Sequence, residues 1–160
     1  MDIKKTSNLL INFTVKRLAE IFALIVLASG IFLLVALLTY SPEDPNFIFP
    51  ENTEIKNLLG FKGSFISDLF LQSIGLISYI FSFTLIVTGI NIFRSKEIFL
   101  FIENIFFAII YSIFGTLFLS YFYTDAFTLY INGNGGFVGN YFNQTFLSSL
   151  IFINKTIFYY

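Results

Sequence analysis

The side chains that most often do chemistry in proteins are scarce in this sequence. Its 160 residues contain no cysteine and no histidine, which removes the thiolate nucleophile, the commonest general base and the usual zinc ligands. Carboxylates remain. Glu43 and Asp44 stand side by side between Pro42 and Pro45 in "TYSPEDPNF". Two adjacent acids supply too few oxygens for a cation site, whereas the flanking prolines favour a stiff turn. Glu103 lies in an apolar stretch, where an ionisable group usually marks function. It is, however, within two turns of the charged "RSKE" at 94–97 and is expected to reach the membrane interface from there. "GNGGFVG" at 133–139 carries Val138 where a dinucleotide fingerprint would need glycine, and no glycine in the chain precedes a lysine as a phosphate-binding loop requires. The sequence therefore predicts no catalytic residue, no cofactor, no metal site and no enzymatic activity within this chain.

The elements that must position these residues are membrane helices. Hydrophobic residues make up 56% of the chain, charged residues 12%, and the mean hydropathy is +0.81, values far outside the soluble range. Charges are confined to short clusters, leaving four uncharged stretches at 21–42, 69–93, 104–124 and 126–154. Each is long enough to cross a hydrocarbon core of roughly 30 Å at about 1.5 Å per residue. The expected fold is an all-α integral membrane protein. A basic arm (1–17) precedes spans at about 18–40, 69–93, 98–120 and 137–158, with loops at 41–68 and 121–136. Six of the nine basic residues lie in the arm and the 94–97 hairpin, which predicts that both termini are cytoplasmic and that the two long loops face the periplasm. Lys4, Lys5, Lys16 and Arg17, with Leu9, Leu10, Phe13 and Val15 between the pairs, suit either topology charge or a short helix at the membrane face. A net charge of −1 gives no electrostatic footprint for binding nucleic acid directly.

The first loop carries most of the local information. Tyr40 is placed at the interface, Pro42 ends the first span, and Ser41 and Asp44 are of the type that bonds nearby backbone amides in turns. "NLLGFKGSFISDLF" from Asn57 reads as a short amphipathic helix leading into span two. Gly60 and Gly63 are expected to permit close approach, and Asp68 to sit near the positive end of the helix dipole of span two. Residues 40–68 are expected to form a compact cap over the outer ends of the spans.

These same segments carry a resemblance. "ALLTYSPEDPNF" resembles the end of the first membrane helix in the FtsK/SpoIIIE family of bacterial DNA translocases, through Tyr40, Ser41, Pro42, Asp44 and Pro45. "NLLGFKGSFISDLFLQSIGLISYIF" is similar to the family's next segment at Asn57, Gly60, Gly63, Asp68, Gly75 and Tyr79, and "NGGFVGNYF" to the opening of its fourth span at Gly135, Gly136 and Gly139. Ser64 and Ser67 stand where the family often has alanine. The resemblance implies a four-span membrane domain that anchors a translocase in the bacterial inner membrane at the division septum, the motor being absent from these residues. Its implied partners are the lipid bilayer, further copies of itself and other cell-division membrane proteins. The alternative, a small transporter or channel subunit, would call for polar groups deep in several spans. The topology is directly testable: in this cysteine-free chain, a cysteine at Asn46 should react with an impermeant thiol reagent in intact spheroplasts. Cysteines at Asp2 and Tyr160 should react only after lysis.

Overall fold

The computed structural model describes residues 3–45, 54–123, 132–147 and 149. Helices α1 (Ile3–Leu38), α2 (Gly60–Ile74), α3 (Ile77–Ser95), α4 (Phe99–Phe122) and α5 (Gly136–Phe142) follow in order, and a π-helical turn, Asn143–Leu147, continues α5. No strand occurs among the described residues. Three of these helices are long and apolar enough to cross a membrane: α1 over Asn8–Leu38, α3 and α4. A fourth helix starts at Gly136, in the segment expected to open span four. The rest of that span toward 158, both chain termini, and residues 46–53 and 124–131 of the two long loops lie outside the described residues.

Three boundaries differ from the sequence expectation. The basic arm is not a separate piece, because α1 runs unbroken for 36 residues from Ile3. Nothing in 1–17 breaks a helix, since neither glycine nor proline occurs there. At its other end α1 stops at Leu38, ahead of Tyr40. The larger change is in span two, where the uninterrupted helix expected over 69–93 is divided at Gly75. Gly75 adopts φ +58°, a left-handed conformation that side chains disfavour, and the amide of Leu76 donates to Asn134 O at 2.9 Å. Helix α2 therefore combines the predicted lead-in with the first turns of the predicted span. The spanning helix is α3, whose 19 residues reach about 28 Å. Hydropathy does not mark the break because both sides of it are apolar.

Helices α1 and α3 run antiparallel. Tyr79 Oη donates to Leu37 O at 3.0 Å at one end, and Lys96 Nζ pairs with Glu20 Oε1 at 2.8 Å at the other. Between them the backbones touch at two glycines. A Cβ built on Gly30 would lie 2.8 Å from Ile86 N, and one on Gly89 2.7 Å from Leu27 N. In lipid, where burial of apolar surface contributes little, such contact is what holds helices together. Gly30 closes the "ASG" stretch at 28–30, whose small residues suggest an approaching helix, and Gly89 is its counterpart on α3. Helix α4 is tied to α3 by the Thr84–Tyr111 hydroxyl pair at 2.7 Å and by Asn104 Nδ2 to Thr88 Oγ1 at 3.0 Å. Asn91 lines a cleft together with Thr84, Thr88 and Asn104. Glu103 is exposed in the second turn of α4.

The tight crossing makes a prediction. Gly89→Val must push backbone against backbone and should destabilise the bundle by about 1–3 kcal/mol. Ala28→Val, on an exposed position of α1, should be nearly neutral. Thermal unfolding of the two variants in the same detergent distinguishes them.

Candidate functional site

The residues singled out in the first loop converge on the end of α1 that carries both long loops. A helix ending there leaves its last carbonyls without intrahelical partners, and two remote side chains supply them. Asn57 Nδ2 donates to Ala36 O at 2.9 Å and to Thr39 O at 3.3 Å, while Tyr79 Oη covers Leu37 O between them. Asn57 is itself fixed from both sides. Its Oδ1 accepts from Leu59 N at 3.0 Å, and its own amide donates to Asp44 Oδ2 at 2.8 Å.

Asp44 is the other half of this clasp. It is 3% exposed, and its second oxygen accepts the Lys56 amide at 2.8 Å. The two bonds reach 12 and 13 residues along the chain, so Asp44 closes the whole first loop rather than forming the local turn expected for it. The local turn is carried by backbone instead, Asp44 N to Ser41 O at 3.2 Å. Pro42 and Pro45 flank this turn, and Pro45 O accepts the Ser64 hydroxyl at 3.1 Å, docking α2 against the loop. Thr39 contributes a hydroxyl that accepts the Leu58 amide at 3.3 Å. On the solvent side Glu43 pairs with Lys56. This contact holds the Glu43 carboxyl below its ordinary 4.5 and raises Lys56 above 10.5.

The remaining motif residues complete the cap. Tyr40 is half-buried and its hydroxyl donates to Asp68 Oδ1 at 3.0 Å. Asp68 lies in the middle of α2, not at the start of a span, so the helix-dipole role expected for it is replaced by this bond and one from Gln72 Nε2 at 3.4 Å. Gly63 does permit close approach, since a Cβ there would fall 2.1 Å from Asn57 Oδ1. Gly60 does not. Its surroundings are open, and its requirement is the left-handed φ of +64° that starts α2.

Gly75 meets the second loop, where a Cβ would lie 2.0 Å from Asn134 O. Gly135 and Gly139 let α5 settle on α4: added Cβ atoms would lie 2.3 Å from Ser120 Oγ and 2.3 Å from Thr116 O. Gly136, also at positive φ, packs against the Ser73–Gly75 backbone. Polar residues not singled out from sequence join the two loops. Asn132 Nδ2 donates to Gln72 Oε1 at 3.1 Å, Asn140 Nδ2 donates to Asn132 O at 2.6 Å, and Ser120 Oγ donates to Asn140 Oδ1 at 2.9 Å. The only sequence signal for them is the density of asparagine in 132–143.

A divided second apolar stretch, a side-chain-capped first helix and a glycine-seated α5 define a helical membrane domain in which the described parts of the two long loops join in one cap. The chain belongs to the family described as the 4TM region of DNA translocase FtsK/SpoIIIE, whose model matches residues 15–160. It is also similar to two proteins named DNA translocase FtsK. One, from Rhizobium meliloti, is 28% identical over 80 residues, 50% of this chain and 9% of the relative. The other, from Pseudomonas putida, is 35% identical over 82 residues, 51% of this chain and 10% of the relative. The matched region thus spans about a tenth of these curated relatives. No solved structure matches the chain.

The clasp can be tested by replacing one partner at a time. Asp44→Ala leaves two amides without acceptors and should cost about 1–3 kcal/mol, while Glu43→Gln weakens the exposed pair with Lys56. Limited proteolysis of the 54–59 segment should accelerate roughly tenfold in Asp44→Ala and Asn57→Ala and hardly at all in Glu43→Gln. Because the Glu43 carboxyl is held low, its pairing is intact above 4.5 and is lost as pH falls through its depressed value. Acid should therefore abolish the small difference between Glu43→Gln and the unmodified chain.

Proposed function

We propose that this chain is the membrane-anchoring and septum-targeting domain of an FtsK-like DNA translocase acting in cell division and chromosome segregation in the bacterial inner membrane. It catalyses nothing itself. The observation that carries this reading is the family match over 15–160, together with the family-motif residues Asp44, Asn57, Gly63, Gly75 and Gly139 all serving to build one outer cap. The cap offers a surface for self-association and for other division membrane proteins: Leu58 is 76% exposed, and Phe61, half-exposed, stacks on Phe65. The spanning helices favour an anchor over a transporter. The buried carboxylates among the described residues, Asp44 and Asp68, both belong to the cap and not to a spanning helix. A DNA role belongs to whatever motor such a domain serves.

A fluorescent fusion of this chain should concentrate at mid-cell in dividing cells. The triple variant Pro42→Ala, Asp44→Asn, Pro45→Ala should still insert but distribute evenly around the membrane. Even distribution of the unmodified fusion, or ATP turnover by the purified chain above a detergent blank, would overturn the proposal.

A further inference from the structure

Helices α3 and α4 enclose a cleft of about 280 Å³, lined on α3 from Ile80 to Asn91 and on α4 by Asn104. It opens on the flank of the pair away from α1 and α5. At about 100° per residue, Ile80, Thr84, Val87, Asn91 and Arg94 fall within one arc of about 80°, opposite the Gly89 that meets α1. On α4 the contacts to α1 and α5 are made by Phe101 and Thr116, whereas Glu103 lies about 100° from Asn104 in the other direction. No described part of the chain covers this flank. Ile80 and Val87 are each more than half exposed, and Asn91, Arg94 and Glu103 are exposed too.

Three polar groups on the flank are unsatisfied. Asn91 has no hydrogen-bond partner among the described residues, and neither Arg94 nor Glu103 has an ion-pair partner there. All three stand near one level, because Asn91 precedes the end of α3 at Ser95 by four residues and Glu103 follows the start of α4 at Phe99 by four, about 6 Å in each case. An amide and a carboxylate on helices that cross a membrane are costly unless something pairs with them. The spacing 80, 84, 87, 91, 94 alternates four and three residues, the repeat that keeps a seam facing a second, parallel helix.

We propose that two copies of this chain pair through this α3 seam about a two-fold axis along the membrane normal, with Asn91 bonded to its own counterpart and Arg94 of each copy meeting Glu103 of the other. Copies of one chain insert in the same orientation, so each Asn91 meets the other at equal depth. A carboxamide both donates and accepts, and two of them across a two-fold axis satisfy each other. The acid and the base are likewise complementary only when the surface meets itself. An anionic phospholipid would pair with Arg94 and leave Glu103 with nothing. The pairing lies at the end of the bundle remote from the cap and does not rest on a septal role.

The test uses the whole cysteine-free chain, reconstituted at low density in phosphatidylcholine vesicles, with Val87→Cys as reporter and Ile31→Cys as control. Ile31 is exposed on α1 at a similar depth, next to the Gly30 that touches Ile86. Under mild oxidation Val87→Cys should form disulfide dimers about tenfold faster than Ile31→Cys. Adding Asn91→Val should slow that crosslinking about three- to tenfold, and Asn91→Gln, which keeps the amide, should slow it far less. Chains carrying Arg94→Glu or Glu103→Arg should crosslink poorly by themselves and recover when mixed, since each then offers the charge the other lacks. Misfolded chains do not recover on mixing. Crosslinking at 87 no faster than at 31 would leave the cleft to a lipid chain and overturn the proposal. Crosslinking at 87 that is indifferent to Asn91→Val would overturn it as well, by showing that Asn91 reaches only headgroups.

Discussion

A helix that ends at a membrane surface must do something with its last carbonyls, and in this protein that constraint organises the outer half of the molecule. Asn57 reaches back to Ala36 and Thr39, Tyr79 reaches across to Leu37, and Asp44 fixes the backbone that carries Asn57. Each bond brings a different segment to the same place. Asn57 draws the start of α2 over the end of α1, Tyr79 sets the height of α3 against α1, and Asp44 closes the loop between them. The buried leucines Leu33, Leu37 and Leu71 then pack beneath. An unpaired polar group at this depth would cost far more than the net value of the bond it lacks, so the arrangement is cooperative.

The lower half is held by a different force. Among the described residues, the polar contacts between α1 and α3 lie at their two ends, Tyr79 to Leu37 O and Lys96 with Glu20. The helices are kept together by backbone contact at Gly30 and Gly89, as suits a medium in which dispersion and fit replace the hydrophobic effect. Helix α5 uses both devices. Gly135 and Gly139 bring it onto α4, and Asn140 then bonds Ser120 across the gap. Glycines provide proximity and amides provide register.

For a member of the 4TM region of the FtsK/SpoIIIE translocases, this division gives the domain two unlike ends. The outer end is a rigid, hydrogen-bonded cap joining both long loops through Asp68, Gln72, Asn132 and Asn140. Among the described residues, the other end has the short 94–97 hairpin and the first turns of α1, where the side chains from Asn8 to Leu18 are exposed. Its motif residues shape backbone: Asp44 and Asn57 fix the first loop, and Gly63, Gly75 and Gly139 admit close contact.

By itself the sequence determined the all-helical membrane class and the family. Each of these is written in composition, in the spacing of charges and in local motifs such as "SPEDP". It also singled out Asp44, Asn57, Gly63, Gly75 and Gly139 as residues that matter, because proline, glycine and lone polar groups beside apolar runs are conspicuous. What those residues do was decided only by tertiary structure. The acceptors of Asn57 lie 18 and 21 residues away, and the donors to Asp44 12 and 13, separations at which no local pattern specifies a partner. The break at Gly75 is likewise invisible in hydropathy, since Ile74, Leu76 and Ile77 are as apolar as a continuous span would be. The helix divides where the second loop packs on the glycine and Asn134 O accepts the Leu76 amide, contacts made by residues about 60 positions further along the chain.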